Sequence, residues 1–470
     1  MPDMTVATLG PAPALAVACS EKIGDLATQP SGLPAMNMNH RGDILHCAVS
    51  ESLTTAQVNS QLVAYKSSAA NATSGFWSYR VAFRTLRNTP KGGGAPIEGD
   101  SAAFLLIPEK PLPGAPLVVW AHGSNGIAPK CAPTLLDLSG PAQDTDYPIN
   151  LMKLAAYGYT VIAPDYSGFL YGQPPGYFNA EDEAHAVLDA TRAAANLLTA
   201  MPDKVAIVGH SQGGHAALSA QSYAKAYGLH GTLVGVALFA PLWTSMSLWA
   251  AGTTDAAGLK TATDTGSVLY TMEYAYSAGE LRDGPGGGLA VFQPAKQQAA
   301  KDAMLGGDCY DTAKVTALGA KPSDFYDMNY VSNVGFTCAA SPIGSDCTMA
   351  PSTPAGDAPL WVSRWKEDRP ALDATSAPIL IWYGGMDTNV KPGWAECARE
   401  KFANDLSVTG ATTTIKYCYD ATGGHRDLIR DSDPDYVNQW IAARAGIGVE
   451  PSGCPDFPSG MSCLVPPNDL

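Results

Sequence analysis

Through most of the chain, short apolar runs alternate with longer stretches in which apolar residues return every three or four positions, the pattern of strands followed by helices. Pro116–His122 (PLVVWAH), Tyr159–Ala163, Val205–Val208, Leu233–Phe239 (LVGVALF), Pro378–Tyr383 (PILIWY) and Thr412–Tyr419 read as strands. Between and after them, helices are expected over Tyr147–Tyr157, Ala180–Leu198, Gln212–Tyr227, Trp394–Asn404 and Asp427–Arg444. The strand runs are apolar throughout rather than alternating, so both faces of the sheet should be covered and the strands should be largely parallel. Ahead of this rhythm, Leu53–Tyr65 is an amphipathic helix, and Phe76–Leu86 and Ser101–Ile107 are antiparallel strands joined by the Gly-rich loop Thr89–Gly99.

The rhythm stops after Leu233–Phe239 and resumes at Pro378. Residues 242–377 contain helical patterns, Ser267–Leu281 and Ala295–Leu305 among them, and no strong buried strand, so they read as a largely helical insertion. The expected organisation is an N-terminal extension (1–75) packed on a core, a first core part (76–241), the insertion as a cap (242–377), a second core part (378–447) and a cysteine-bearing tail (448–470).

Composition narrows the possibilities. A chain of 470 residues with 46% hydrophobic content can bury a large core. Its formal net charge of −15 disfavours nucleic acid and anionic membranes, which would repel it, and no apolar run approaches a membrane span. Ten cysteines in a sparsely charged chain rich in Gly and Pro suit an extracytoplasmic protein, secreted or periplasmic, with five bridges. No CxxC pair is present, which argues against a zinc site. Neighbours in sequence are the first guess at pairing: Cys19–Cys47, Cys338–Cys347, Cys397–Cys418 and Cys454–Cys463, leaving Cys131 for Cys309 as a tether from cap to core. Leu9–Cys19 has the look of the end of a signal peptide, though no Lys or Arg precedes it.

The chemistry centres on Gly209-His210-Ser211-Gln212-Gly213, set between a strand and a helix. A strand that turns into a helix so abruptly forces its middle residue into a strained conformation, which is tolerable when the residues two positions away lack side chains. Ser211 is then raised above the strand's carboxyl end as a nucleophile. A serine hydroxyl needs a base, and the base needs an acid to fix its tautomer. Of the eight histidines, His425 follows the last strand in a Gly-rich loop; His122 and His210 crowd the strand ends, His185 and His215 fall inside helices, and His40, His46 and His230 are remote. Asp387, just past Gly384-Gly385, is the expected acid, with Asp165 the rival and Asp420 and Asp427 too near His425 in sequence to orient it. A developing oxyanion would meet the Gln212 N–H and the Ser124 N–H, with Asn125 as the alternative to Ser124.

The ordered set of strand-HGSNG, GHSQGG, GGMD and GGHRD resembles the α/β-hydrolase fold. More narrowly, the lead-in GDSAAFLLIP, the run TVIAPDYSG and the long insertion before the Asp387 strand resemble the secretory lipase family, of the fungal lipase A kind, over residues 76–445. The resemblance implies a mostly parallel central sheet flanked by helices, a largely helical cap, and a monomeric carboxylesterase or lipase with no metal or organic cofactor, acting on a small-molecule, lipid or polymer ester. The cap's apolar residues Val268, Leu269, Met272, Tyr276 and Leu281 are candidate walls for an acyl chain, which would favour short to medium acyl groups. The aromatics Tyr166, Phe169, Tyr171, Trp243 and Trp249 keep a feruloyl-, tannin- or polyester-type esterase open. A serine peptidase of this fold would be expected to carry a large N-terminal propeller, for which the extension is too short, and a non-catalytic binding protein of this fold would usually lack one member of the triad.

Overall fold

The computed structural model describes residues 9–463 apart from 66–71, 89–96, 142–146, 244–248, 250–251, 254–258, 260–261, 307, 331–357, 375, 408–409, 431–433 and 462. Nine strands form one sheet: β1 (Ile44–Val49), β2 (Phe76–Leu86), β3 (Glu98–Pro108), β4 (Leu117–Ala121), β5 (Val161–Ser167), β6 (Lys204–His210), β7 (Thr232–Phe239), β8 (Ile379–Gly384) and β9 (Ile415–Asp420). Their spatial order is β1-β2-β3-β5-β4-β6-β7-β8-β9. The first three strands and the β3–β5 junction are antiparallel, and every pairing from β5 through β9 is parallel. β4, β5, β6 and β8 are buried along most or all of their length, as expected of strands covered on both faces.

The helices α1 (Thr55–Ala64), α2 (Tyr147–Tyr157), α3 (Ala180–Leu197) and α4 (Gln212–Tyr227) follow the expected spacing. α3 starts where the Asn179 side chain accepts the Asp182 N–H, a standard cap for an orphan donor, and it packs on α4 and on β5. The closing helix is described at Asp427–Arg430 and Pro434–Arg444, and residues 431–433 lie outside the described residues.

Strand β1 was not expected. It is an edge strand with mixed burial, so its sequence ILHCAV lacks the apolar run that marks an interior strand, yet it pairs antiparallel with β2 from His46↔Ala82 through Val49↔Tyr79, with an irregularity between Ile44 and His46. The segment before it is stitched to the body: Ala16 N–H donates to Leu197 O at 2.8 Å, and Cys19 is bonded to Cys47.

Cys131–Cys309 also forms as expected. Two other pairings do not. Cys397 joins Cys463 and Cys418 joins Cys454, in place of Cys397–Cys418 and Cys454–Cys463. β9 is the last strand of the sheet, and its open edge receives the tail, with Tyr419 N–H donating to Pro455 O at 2.9 Å. Each tail cysteine therefore meets a core element before it meets the other. Cys338 and Cys347 lie outside the described residues.

Between β7 and β8 the described residues are helical, at Ala262–Asp283, Gln297–Lys301, Thr312–Leu318 and Ala358–Glu367. The helix expected at Ala295–Leu305 is shorter and passes into a π-helical turn over Asp302–Gly306. An apolar cluster built from Val268, Leu269, Met272, Phe292, Phe325 and Trp361 extends to Ile127, Tyr177 and Phe178 of the core. Among the described residues no helix is long and apolar enough to cross a membrane.

Candidate active site

Ser211 follows β6 directly and precedes α4, with φ 55° and ψ −116°. That left-handed φ is strained for a residue with a side chain, and both of its backbone polar groups are fixed to hold it. Its N–H donates to Phe239 O at 3.0 Å, and its carbonyl accepts from Leu242 N at 3.0 Å and His215 N at 3.2 Å. The glycines at either side are required by close approach. A Cβ on Gly209 would stand 2.1 Å from Gly213 O, and one on Gly213 would stand 1.9 Å from Ala121 O and 2.7 Å from His122 O. The second contact also brings the end of β4, and with it the Ser124 loop, against the first turn of α4.

His425 lies beyond β9 and Asp387 beyond β8, and their side chains meet: His425 Nδ1 donates to Asp387 Oδ2 at 2.8 Å. Asp387 is buried, and its other oxygen accepts the N–H groups of Asn389 and Val390, both at 2.8 Å. Three donors therefore hold the carboxylate, and it in turn fixes the imidazole tautomer with its proton on Nδ1. Asp420 and Asp427 serve the loop instead, accepting N–H groups of Gly423 and Gly424. The histidine loop is tied to the nucleophile's neighbour, since His210 Nε2 donates to His425 O at 2.9 Å and the two rings lie 4.7 Å apart.

Gln212 is the first residue of α4, so its N–H has no intrahelical partner by helix geometry. The Ser124 hydroxyl hydrogen-bonds with the Tyr177 hydroxyl at 2.7 Å, and the Asn125 side chain donates to Cys131 O. Asp165, the rival acid, is buried under the Thr134 loop, where its Oδ1 accepts the Thr134 N–H at 3.0 Å and its Oδ2 meets the Thr134 hydroxyl. Burial there pushes its pKa up to about 8, against the opposing hydrogen bonds from Thr134.

Two acids escaped the sequence reading. Glu183 on α3 is buried, and Glu273 on the helix Ala262–Asp283 is buried with neither oxygen hydrogen-bonded to a described residue, so burial holds its carboxyl well above the usual range. A signal for Glu183 existed: it shares a helical stripe with Val187, Ala190 and Ala194, and an acid on an apolar face needs a buried partner. The candidate aromatics are largely occupied. Tyr166 donates its hydroxyl to His122 O at 2.7 Å, Trp249 stacks on Tyr274 at 4.2 Å, and Trp243 lies under the Arg369 guanidinium. Among the described residues no group of three or more His, Cys, Asp or Glu could hold a metal ion.

Comparison with known proteins bears on the fold. The chain aligns over 95% of its length with 92% of Candida antarctica lipase A in its closed state, at a TM-score of 0.61 and 18% identity. The fold is an α/β-hydrolase. A ligand-bound form of the rice cell wall degrading esterase LipA from Xanthomonas oryzae shares the hydrolase fold, at a TM-score of 0.57 and 18% identity over 87% of this chain and 97% of that one. The family model for secretory lipases matches residues 138–260, which include Ser211 and Gln212 but not Ser124, Asp387 or His425. A lipase A of Moesziomyces aphidis is 31% identical over 165 residues, and the chain spans 34% of that curated relative's length.

Proposed function

We propose that this hydrolase-fold protein is a serine carboxylic ester hydrolase, an esterase or lipase, that works through an acyl-enzyme. Ser211 attacks the ester carbonyl, His425 Nε2 takes its proton and then returns it to the departing alkoxide, and Asp387 holds the imidazolium that forms in between. Water, activated by the same histidine, then releases the acid. The oxyanion is met by the N–H groups of Gln212 and Ser124, each such donor contributing about 2.7–4 kcal/mol to the transition state. The observation that carries this reading is the Asp387–His425 hydrogen bond, made by a loop anchored to the residue next to a serine held at positive φ.

The cap supports the substrate class. Its apolar cluster runs without a break into Ile127, three residues past Ser124, so an acyl chain leaving the oxyanion site would meet hydrocarbon. Val268, Leu269, Met272 and Tyr276 belong to that cluster and are packed among other side chains, so they would line an acyl path only by shifting. Burying each further methylene is worth about 0.8 kcal/mol, or roughly fourfold in kcat/KM. Short to medium acyl esters are the expected substrates, met by a monomer, and the disulfides suit an extracytoplasmic setting.

A panel of p-nitrophenyl esters beside peptide p-nitroanilides tests this. Esters should be turned over with kcat/KM rising from acetate to hexanoate or octanoate, and anilides should not. A flat or falling series would remove the acyl wall, and preferential anilide cleavage would overturn the ester reading.

A further inference from the structure

Beneath the elbow lies a buried polar chain that the triad does not use. Glu183 Oε1 accepts the Gln212 side-chain amide at 2.7 Å and the Phe178 N–H at 3.0 Å, while its Oε2 faces His215 Nδ1 at 2.6 Å. The other ring nitrogen of His215 donates to the backbone carbonyl of Asp368 at 2.6 Å. The Asp368 carboxylate in turn accepts the Tyr274 hydroxyl at 2.8 Å and the Arg282 guanidinium at 2.8 Å, both from the cap helix Ala262–Asp283. It also accepts the Ala180 N–H at 3.2 Å, at the start of the helix that carries Glu183. Glu183, His215 and Asp368 are all buried. Hydrogen bonds on either side of Asp368, to its backbone carbonyl from His215 and to its carboxylate from Tyr274 and Arg282, thus link the residue after the nucleophile to the helix Ala262–Asp283 through one residue.

An isolated charge would be expensive at this depth, and the same packing would admit apolar residues at similar or lower cost, so stability alone gives a weak reason for the pair. Both nitrogens of His215 face acceptors, which favours the doubly protonated ring. Burial alone would push the His215 pKa down; the Glu183 charge and the hydrogen bonds to Glu183 and the Asp368 carbonyl outweigh it and raise the pKa. What the arrangement fixes is specific. Gln212 has one side-chain partner here, Glu183, and its own backbone N–H is the proposed oxyanion donor, so rotation of that peptide is limited by the amide's grip on Glu183.

We infer that Glu183 is a positioning residue for the oxyanion donor of Gln212, and that His215 and Asp368 make its setting depend on how the cap helix is seated. The inference rests on the ester-hydrolase reading above. Binding of the ground-state ester does not need the oxyanion donor in register, whereas the tetrahedral state does, so the loss should fall on kcat. Removing an oxyanion donor outright costs roughly 10²–10³ in kcat, and a donor that is present but loosely held should cost less, about tenfold.

The test compares Glu183→Gln, Glu183→Ala and Tyr274→Phe on one p-nitrophenyl ester, with active sites counted by fluorophosphonate titration. Glu183→Gln keeps an acceptor for the Gln212 amide and should retain most of the activity, while Glu183→Ala should lose about tenfold or more in kcat with KM within about twofold. Tyr274→Phe leaves its ring stacked on Trp249 and removes only the hydroxyl on Asp368, and it should lower kcat in the wild-type background but not further in Glu183→Ala. Equal losses in Gln and Ala variants, a loss confined to KM, or additive effects of Tyr274→Phe and Glu183→Ala would overturn the inference. Because every kcat is divided by the titrated serine, a fully labelled Glu183→Ala enzyme with unchanged kcat refutes the positioning role alone, whereas a wild-type protein that takes no label refutes the ester-hydrolase reading beneath it.

Discussion

At the scale of single residues, the two aspartates at strand ends are told apart by their hydrogen bonds. Asp387 accepts two backbone N–H groups and the His425 ring, whereas among the described residues Asp165 accepts from Thr134. Asp387→Asn should therefore lose most of kcat, about 10⁴-fold by analogy with loss of the correct tautomer in serine enzymes, while Asp165→Asn should stay within a few-fold. Steady-state kinetics of the two variants decide this, and a larger loss in Asp165→Asn would contradict the assignment. Asp165 should instead reveal itself in stability. Its folded pKa is raised to about 8, above the roughly 3.9 of an unfolded Asp, so the folded state binds the proton more tightly. The stabilising contribution is complete below about pH 4 and is lost as pH rises through about 8. Asp165→Asn cannot titrate, so the Tm of wild type should fall relative to the variant between those limits, and parallel Tm curves would contradict it. Glu183 and His215 were not recognised from sequence as functional because a histidine or acid inside a helix usually faces solvent, and burial of both is a tertiary fact.

At the scale of elements, the strand-turn-helix around Ser211 was legible because most of its demands are local: positive φ at the serine and no Cβ at Gly209 follow from the turn itself, while Gly213 is required by the approach of β4 at Ala121 O. Gly213→Ala should overlap the end of β4 at Ala121 O, destabilise the fold by about 1–3 kcal/mol and displace the oxyanion loop, so both Tm and kcat should drop. A variant with native Tm and native kcat would show that the close approach is not needed. Edge elements were less legible. β1 is only partly buried and its sequence mixes apolar and polar residues, so it lacks an apolar run, and β9, also at an edge, begins at Ile415 rather than at Thr412 as expected. The two misassigned disulfides share that cause, since the open edge of β9 draws the tail along it, a contact that spacing between cysteines cannot reveal.

At the scale of the whole molecule, four loops following β4, β6, β8 and β9 converge at the carboxyl edge of a parallel sheet, where α/β folds bind ligands. This convergence was readable because buried parallel strands announce themselves as apolar runs, and their order along the chain sets which loops share an edge. The segment between β7 and β8 was readable only as an interruption, because its helices pack into a cluster shared with Tyr177 and Phe178 whose partners are set by tertiary contact. Cys131–Cys309 spans that junction with a sequence separation of 178, and replacing both cysteines by Ser should cost about 2–4 kcal/mol, read as a lower Tm under oxidising conditions. An unchanged Tm would mean that cap and core hold together without the bridge. The central claim, that Ser211 is the nucleophile of an ester hydrolase, is tested most directly by peptide mapping after reaction with a fluorophosphonate. One label per chain on Ser211, with labelling and ester turnover both abolished in a folded Ser211→Ala variant, is the expected result; label elsewhere, or turnover that survives in Ser211→Ala, would contradict it.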